Sequence, residues 1–370
     1  SVWKINQMEN KFSPLFGAGT ARGGTGLAVQ TLRAHKRIEL AMEPFLLYFK
    51  HYRVAVHKKL NYQSKEDVDV PELNEPIRSL YYNSKDIPYI NNILNFPGDI
   101  ALEKGQLKEI QEGIRSRAHY DAADLIPYIE QMEGDTFGEF MKSSLTIIKN
   151  ARKRDDLSWC GMLENWSIEF FPFLAESFPD AKFFVVVRDP RAVLCSALHA
   201  PPELRATLLS YLRSVRKMLD LCIHYSQDKR FKNKLCILKF ESLVNNPSLL
   251  SSQVSTFLGL EYDPNMINPD YHVVPGSNEP RDGVSSFEQK ATGYSPARTS
   301  RWKTILEPEI ISIINSCMSA ELEIFGTQGH IAYPHLSNNP INTLVTLCKE
   351  LKKNKLDKGN KNFQPSNLEF

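Results

Sequence analysis

The chain is poor in the features that most often declare a function. Its 370 residues hold only six cysteines (Cys160, Cys195, Cys222, Cys236, Cys317 and Cys348), none in a C-x-x-C pair. Most sit inside apolar runs such as Leu235-Cys236-Ile237-Leu238, the setting of buried, reduced thiols rather than of a disulfide framework. Nine histidines are scattered without ligand spacing, which argues against a structural zinc site. No run of about 18 apolar residues is present, so the sequence encodes no transmembrane helix. No signal-peptide pattern opens it. It begins at Ser1 without Met, as a trimmed chain would, which leaves a removed anchor or leader open. The net charge of +2 is too balanced for a general nucleic-acid field. With 42% hydrophobic and 24% charged residues, these absences predict a soluble globular protein whose expected compartment is the cytoplasm. There is no internal repeat.

What is present is a glycine-rich turn close to the start: Leu15-Phe-Gly-Ala-Gly-Thr-Ala-Arg-Gly-Gly-Thr-Gly-Leu27. An apolar strand from Ser13 runs into the turn, which opens a helix near Gly26. Glycines let the backbone approach a ligand, and successive amides at the positive end of a helix make an anion cradle. A phosphate or sulfate belongs here, with Arg22 supplying a fixed charge and Thr25 a hydroxyl. Gly19 and Gly24 have the G-x-x-x-x-G spacing of a nucleotide-triphosphate loop, yet Thr25 stands where Lys follows in such loops. That argues against an ordinary ATPase or kinase without closing the question.

The rest of the chain alternates strands and helices. A helix over 27–38 is expected to carry Arg33, Lys36 and Arg37 on its outer face. A short strand then ends at Glu43, ahead of Pro44 and so in extended geometry. Residues 45–155 are irregular, with helices expected over 107–117 and 136–152 and a loop over 83–105; this region is expected to cover the substrate. Further on come a helix over 166–178, a buried parallel strand Lys182–Arg188, helices from Arg191 and over 204–225, a strand 234–240, and helices starting at Pro247 and Pro308. The pattern predicts an α/β fold with a central parallel sheet flanked by helices on both faces and a helical insertion. Residues 1–335 are read as one domain. Residues 336–370 are read as a basic tail with a helix near 343–353.

A second motif stands at a strand end: Val187-Arg188-Asp-Pro-Arg-Ala-Val-Leu-Cys-Ser196. Ligands in open α/β sheets bind outside the carboxyl ends of strands, so Arg188 and Ser196 can aim at one anion. The bland alternative is an Arg188–Asp189 pair with Ser196 as a surface residue.

Together the two motifs resemble those of sulfotransferases that use 3′-phosphoadenosine 5′-phosphosulfate (PAPS). That family holds the 5′-phosphosulfate with a G-x-P-R-S-G-T-T loop, which Gly19-Thr-Ala-Arg22-Gly23-Gly24-Thr25-Gly26 resembles. Its 3′-phosphate motif, Arg at a strand end and Ser eight residues later, is matched by Arg188 and Ser196. Phe240-Glu-Ser-Leu-Val-Asn-Asn-Pro247 resembles its Y-E-D-L-V-x-x-P block. Ser300-Arg301-Trp302-Lys303 with Glu307-Pro-Glu-Ile310 resembles its C-terminal G-R-W-R block and following helix. The four blocks stand in order over residues 13–45 and 165–325.

The resemblance implies the P-loop-like sulfotransferase fold and transfer of a sulfuryl group from PAPS to a hydroxyl or amine. PAP is then the product, no metal takes part, and the acceptor is a small molecule or glycan. It also implies that Arg22, Gly23, Gly24, Thr25 and Gly26 bind the phosphosulfate, and that Arg188 and Ser196, with Arg301 and Lys303, grip the 3′-phosphate. Arg22 would also stabilise the bridging oxygen. Glu43 resembles the base of some glycan- and tyrosine-modifying relatives. Where many relatives carry a catalytic Lys or His, this chain has Trp159-Cys-Gly-Met-Leu-Glu164-Asn165-Trp166. Glu164 is the alternative base, or an ordinary charge at a helix start. His199 is read as structural. The rival readings are a small-molecule kinase using the glycine loop for ATP and a non-catalytic nucleotide-binding protein.

Overall fold

Five apolar runs pair as parallel strands. They are β1 (Ser13–Gly19), β2 (Ile38–Met42), β3 (Trp159–Leu163), β4 (Lys182–Val187) and β5 (Leu235–Lys239). The computed structural model describes residues 12–64, 73, 94, 98–153, 156–200, 208–277, 279–281, 287 and 293–326. The strand order is β2-β3-β1-β4-β5, with every pairing parallel. β1, first in sequence, therefore lies at the centre. In β3 every residue is buried, and in β4 every residue after Lys182, as expected where both faces of a sheet are covered.

The alternation of the strands sends side chains into two separate cores. Phe16, Ala18, Cys160, Met162, Phe183, Val185 and Val187 face one core. Leu15, Leu40, Leu163, Phe184, Val186 and Leu238 face the other. The second core is covered by α1 (Thr25–Arg33), through Ala28, Val29 and Leu32, and later by a helix over Pro247–Leu258. The first is covered by α2 (Leu46–Ser64), α3 (Lys104–Ala118) and α4 (Phe137–Ala151), whose Phe49, Ile114 and Phe140 are fully buried. The helices of the irregular region thus form one of the two outer layers. Next come α5 (Phe171–Ser177), α6 (Pro190–Leu198) and α7 (Leu208–Gln227), then α8 (Phe240–Asn245), α9 (Pro247–Leu258), α10 (Pro308–Cys317) and α11 (Ser319–Gly326). The α/β fold, with its parallel sheet between two helical layers, is as the sequence predicts.

Several local expectations fail. The first helix stops at Arg33, which is buried against Asp121 at 3.0 Å instead of facing out; Lys36 and Arg37 are exposed in the turn beyond. Glu43 is not extended: its φ is 61°, and the strand ends one residue earlier. The expected helix over 166–178 starts with a left-handed Trp166 (φ 68°) and a 3₁₀ turn before α5. The expected loop at 83–105 lies largely outside the described residues, as does the whole of the tail and its helix.

Candidate active site

The glycine turn leaves β1 at the centre of the sheet's carboxyl edge, where the chain's course reverses. Within it the Gly23 N–H donates to the Thr20 carbonyl at 2.8 Å, and Arg22 takes a left-handed φ of 66°. Gly24 caps α1 with φ 87°, and a Cβ there would meet the Phe240 ring at 2.1 Å. Only glycine fits both demands. No side chain caps α1, and its first turn carries no acid. Its leading amides are therefore turned toward the site without a built-in anionic partner.

Two side chains from elsewhere hold the turn by its carbonyls. The Arg188 guanidinium donates to the Arg22 carbonyl at 2.8 Å, and the Tyr211 hydroxyl donates to the Ala21 carbonyl at 2.6 Å. Pulling carbonyls outward leaves the amides facing in. Arg22 itself reaches across, and its Nε donates to Ser196 Oγ at 3.2 Å. The glycine turn and the Arg188–Ser196 motif therefore meet in one place.

Arg188 is half-buried, and among the described residues no carboxylate forms an ion pair with it. It also donates to the Arg298 carbonyl at 2.6 Å and stacks 4.4 Å from the Phe240 ring centre. Its Nε is buried without a hydrogen-bond partner among the described residues. Burial, and to a smaller extent the neighbouring Arg22 charge, lowers its pKa to about 10. The alternative Arg188–Asp189 pair is not formed: Asp189 caps α6 and binds Arg191 at 2.7 Å. A cation with a buried, unfilled donor can take an anion. Gly23 and Thr25 line the start of α1, with Thr25 buried, and Gly26 follows in its first turn. Arg301 lies half-buried over the Phe287 ring at 4.7 Å, and its charge acts on the Cys195 thiol beside Ser196. Lys303 is exposed, 5.8 Å from the Trp302 ring centre. His199 bonds the Cys195 carbonyl and packs against Phe287.

Along the same edge, on the β2–β3 side, stands a carboxylate pair. The Glu43 N–H donates to the Leu163 carbonyl at 2.8 Å, and the Glu164 N–H donates to the Gly17 carbonyl at 3.1 Å. Glu164 is 1% exposed, so it is not a solvated helix-start charge; its Oε2 accepts from the Phe45 N–H at 2.8 Å. Asn165 donates its amide to Glu43 Oε1. Arg117, from α3, has Nη2 3.7 Å from Glu164 and 3.9 Å from Glu43, and its Nε donates to the Glu43 carbonyl at 2.8 Å. Burial raises both carboxyls against the opposing pull of Arg117, with Glu164 pushed up to about 8.

Sequence reasoning missed Arg117, Asn165, Tyr211, Phe240 as a stacking platform, and Arg298. Phe240 and Asn165 lie inside segments the motifs single out, whereas nothing in the sequence around Arg117 or Tyr211 marks them. Among the described residues no group of three or more His, Cys, Asp or Glu side chains is placed to hold a metal ion. No described helix is long and apolar enough to cross a membrane.

Comparison with known proteins gives two family matches. The model of the sulfotransferase family matches residues 14–264, and that of a peptidase dimerisation domain matches residues 315–370. Over 52 residues the chain is 56% identical to a succinyl-diaminopimelate desuccinylase of Pelagibacter ubique (strain HTCC1062), covering 14% of each chain. Over 49 residues it is 56% identical to the corresponding protein of Erythrobacter litoralis (strain HTCC2594), covering 13% of each. The chain thus spans about one-seventh of the length of these curated relatives. Among solved structures, a sulfotransferase domain from the curacin biosynthetic pathway is 15% identical, with 83% of this chain and 98% of that one covered and a TM-score of 0.44. A sulfotransferase domain from the Synechococcus PCC 7002 olefin synthase is 14% identical, with 94% and 98% covered and a TM-score of 0.44. The family match takes in β1, the glycine turn, both carboxylates, Arg188 and Ser196, and covers more than half of the chain: the protein belongs to the sulfotransferase family.

Proposed function

We propose that the protein transfers a sulfuryl group from PAPS to a hydroxyl or amine of a small-molecule acceptor. The observation that carries this reading is the contact between Arg22 and Ser196, which joins two anion motifs 174 residues apart into one site. A donor with one phosphate on each side of its ribose needs two such motifs at once, and ATP needs only the first. Arg188 fits the added 3′-phosphate, because its buried Nε has a donor to spare.

PAPS supplies an activated sulfur whose bond to the bridging phosphate oxygen breaks as the acceptor attacks in line. The leading amides of α1 and the Thr25 hydroxyl hold the 5′ end. The charge on the departing oxygen falls to Arg22, whose guanidinium acts electrostatically. Arg188 and Ser196, with Arg301 beside them, hold the 3′-phosphate and fix the donor's register, which is most of what a loose transfer requires. Lys303 reaches that phosphate only by turning away from Trp302. Glu43 takes the acceptor's proton; its carboxylate is about a quarter exposed, whereas Glu164 is sealed beneath it. The donor domain is residues 1–335.

Thermal unfolding with adenosine 3′,5′-bisphosphate and with ATP–Mg²⁺ tests the reading. A ligand at 100 times its Kd stabilises by about 2.7 kcal/mol, and the bisphosphate is expected to do so where ATP–Mg²⁺ does not. The reverse result points to the kinase. Stabilisation by the bisphosphate with no transfer to any hydroxyl or amine acceptor points to a protein that only binds the nucleotide.

A further inference from the structure

A cation within 4 Å of both carboxylates, Arg117, comes from α3, outside the strands and turns that build the proposed nucleotide site. We propose that Arg117 is a positioning residue for Glu43, fixing its backbone through one guanidinium edge while another stands between the Glu43 and Glu164 carboxylates. The inference rests on the reading of Glu43 as the proton acceptor.

Three observations support it. Glu43 has a left-handed backbone (φ 61°), a conformation that non-glycine residues keep only where the surroundings impose it. Here both of its backbone polar groups are tied down: the N–H to the Leu163 carbonyl at 2.8 Å and the carbonyl to Arg117 Nε at 2.8 Å. Second, Arg117 Nη2 stands 3.9 Å from one carboxylate and 3.7 Å from the other, so one cation serves both. Third, the arginine is 28% exposed while Glu164 is 1% exposed, which places the ionic face of the cluster toward Glu43 and the opening.

The remaining groups facing Glu43 are Asn165, which donates to its carboxylate, and Arg281, whose charge acts on it from the loop after His272. Glu164 is faced by Arg117, by Glu43 and by the Phe45 N–H. Burial drives both carboxyls toward the neutral form, and the Arg117 charge is the strongest influence opposing it on each. Against that drive, the charge of Arg117 favours the ionised form of Glu43, the form able to accept a proton. The helical layer therefore supplies part of the proton-transfer apparatus as well as covering the sheet.

The test uses the full chain with ¹³C-labelled glutamate, the Glu43 carboxyl signal being assigned by its loss in Glu43→Gln. In Arg117→Met, which keeps the stem and loses the charge, Glu43 is expected to titrate at higher pH than in the wild type. Affinity for adenosine 3′,5′-bisphosphate should stay unchanged. With PAPS and a simple phenol as probe, kcat should fall by about ten- to a hundredfold, short of the loss of the base itself, and KM for PAPS should hold. Arg117→Lys should recover part of both effects. A purely structural arginine would lower the melting temperature and leave the Glu43 titration where it was, and that result overturns the proposal. If Arg117→Met fails to fold, Arg117→Gln, which retains a donor for the Glu43 carbonyl but no charge, is read by the same titration. A wild-type chain that ignores the bisphosphate and transfers nothing sinks the sulfotransferase reading, while the titration still decides the role of Arg117.

Discussion

Arg188 does two things with one guanidinium, and each is measurable. Its Nη1 and Nη2 donate to the carbonyls of Arg22 and Arg298, and its Nε has no hydrogen-bond partner among the described residues. A hydrogen bond to a charged group is worth about 1.5–3 kcal/mol. Arg188→Ala should therefore weaken adenosine 3′,5′-bisphosphate relative to adenosine 5′-phosphate by about ten- to a hundredfold in calorimetric titrations. Taking the ratio cancels any loosening of the turn that both ligands feel. An unchanged ratio would mean that the 3′-phosphate is held elsewhere. Glu43→Gln is nearly isosteric and keeps its tie to Arg117 through the backbone, so donor affinity should survive. Turnover should drop by about 10²–10⁴-fold, the usual worth of a placed proton acceptor. Full turnover in that variant would move the base to Glu164 or elsewhere.

At the scale of elements, the junction from β1 to α1 is tightly constrained. Gly24 must be left-handed and must lie against Phe240, the ring that also supports Arg188. Gly24→Ala meets both obstacles, at a cost of about 1–3 kcal/mol for the backbone alone. It is expected to lower the melting temperature by several degrees and to abolish stabilisation by the bisphosphate. A variant that keeps both would show that the turn relaxes more freely than its contacts imply. This junction was legible in the sequence because glycines and a strand-to-helix change leave a local signature. So were the ends of β4 and β5, just ahead of Arg188 and Phe240, because both strands are largely apolar runs. Arg117 and Tyr211 were not legible: each is an ordinary polar residue on an amphipathic helix, and its place at the edge depends on which face of the sheet that helix covers. Arg33 misled for the same reason, since its buried partner Asp121 lies 88 positions away. Glu43 misled because the usual effect of a following proline gave way to the two hydrogen bonds that hold its backbone.

For the whole molecule, the pair of carboxylates sets a dependence of stability on pH. The Glu164 carboxyl is raised to about 8 in the fold by burial, against an ordinary glutamate value of about 4.3 in an unfolded chain. Between those values the folded protein holds a proton that the unfolded chain has released. Stability is thus fully present below about pH 4.3 and declines as pH rises through 8. Glu164→Gln, which cannot ionise but still offers an oxygen to the Phe45 N–H, should flatten that decline. Its melting temperature should exceed the wild type's at pH 8 and approach it near pH 5. Equal profiles for the two proteins would place Glu164 in its ionised form in the fold.

The strand order carries a consequence for how the chain assembles. β1 is made first, yet its partners β3 and β4 are made only after roughly 145 and 165 further residues, as the pairings Ser13–Trp159 and Leu15–Lys182 show. Closing loops of that length delays pairing and leaves an apolar strand waiting without neighbours. On the ribosome the glycine turn cannot take its final shape until β4 and Arg188 have emerged. The turn proposed to bind the donor, early in the sequence, is then among the last features to take shape.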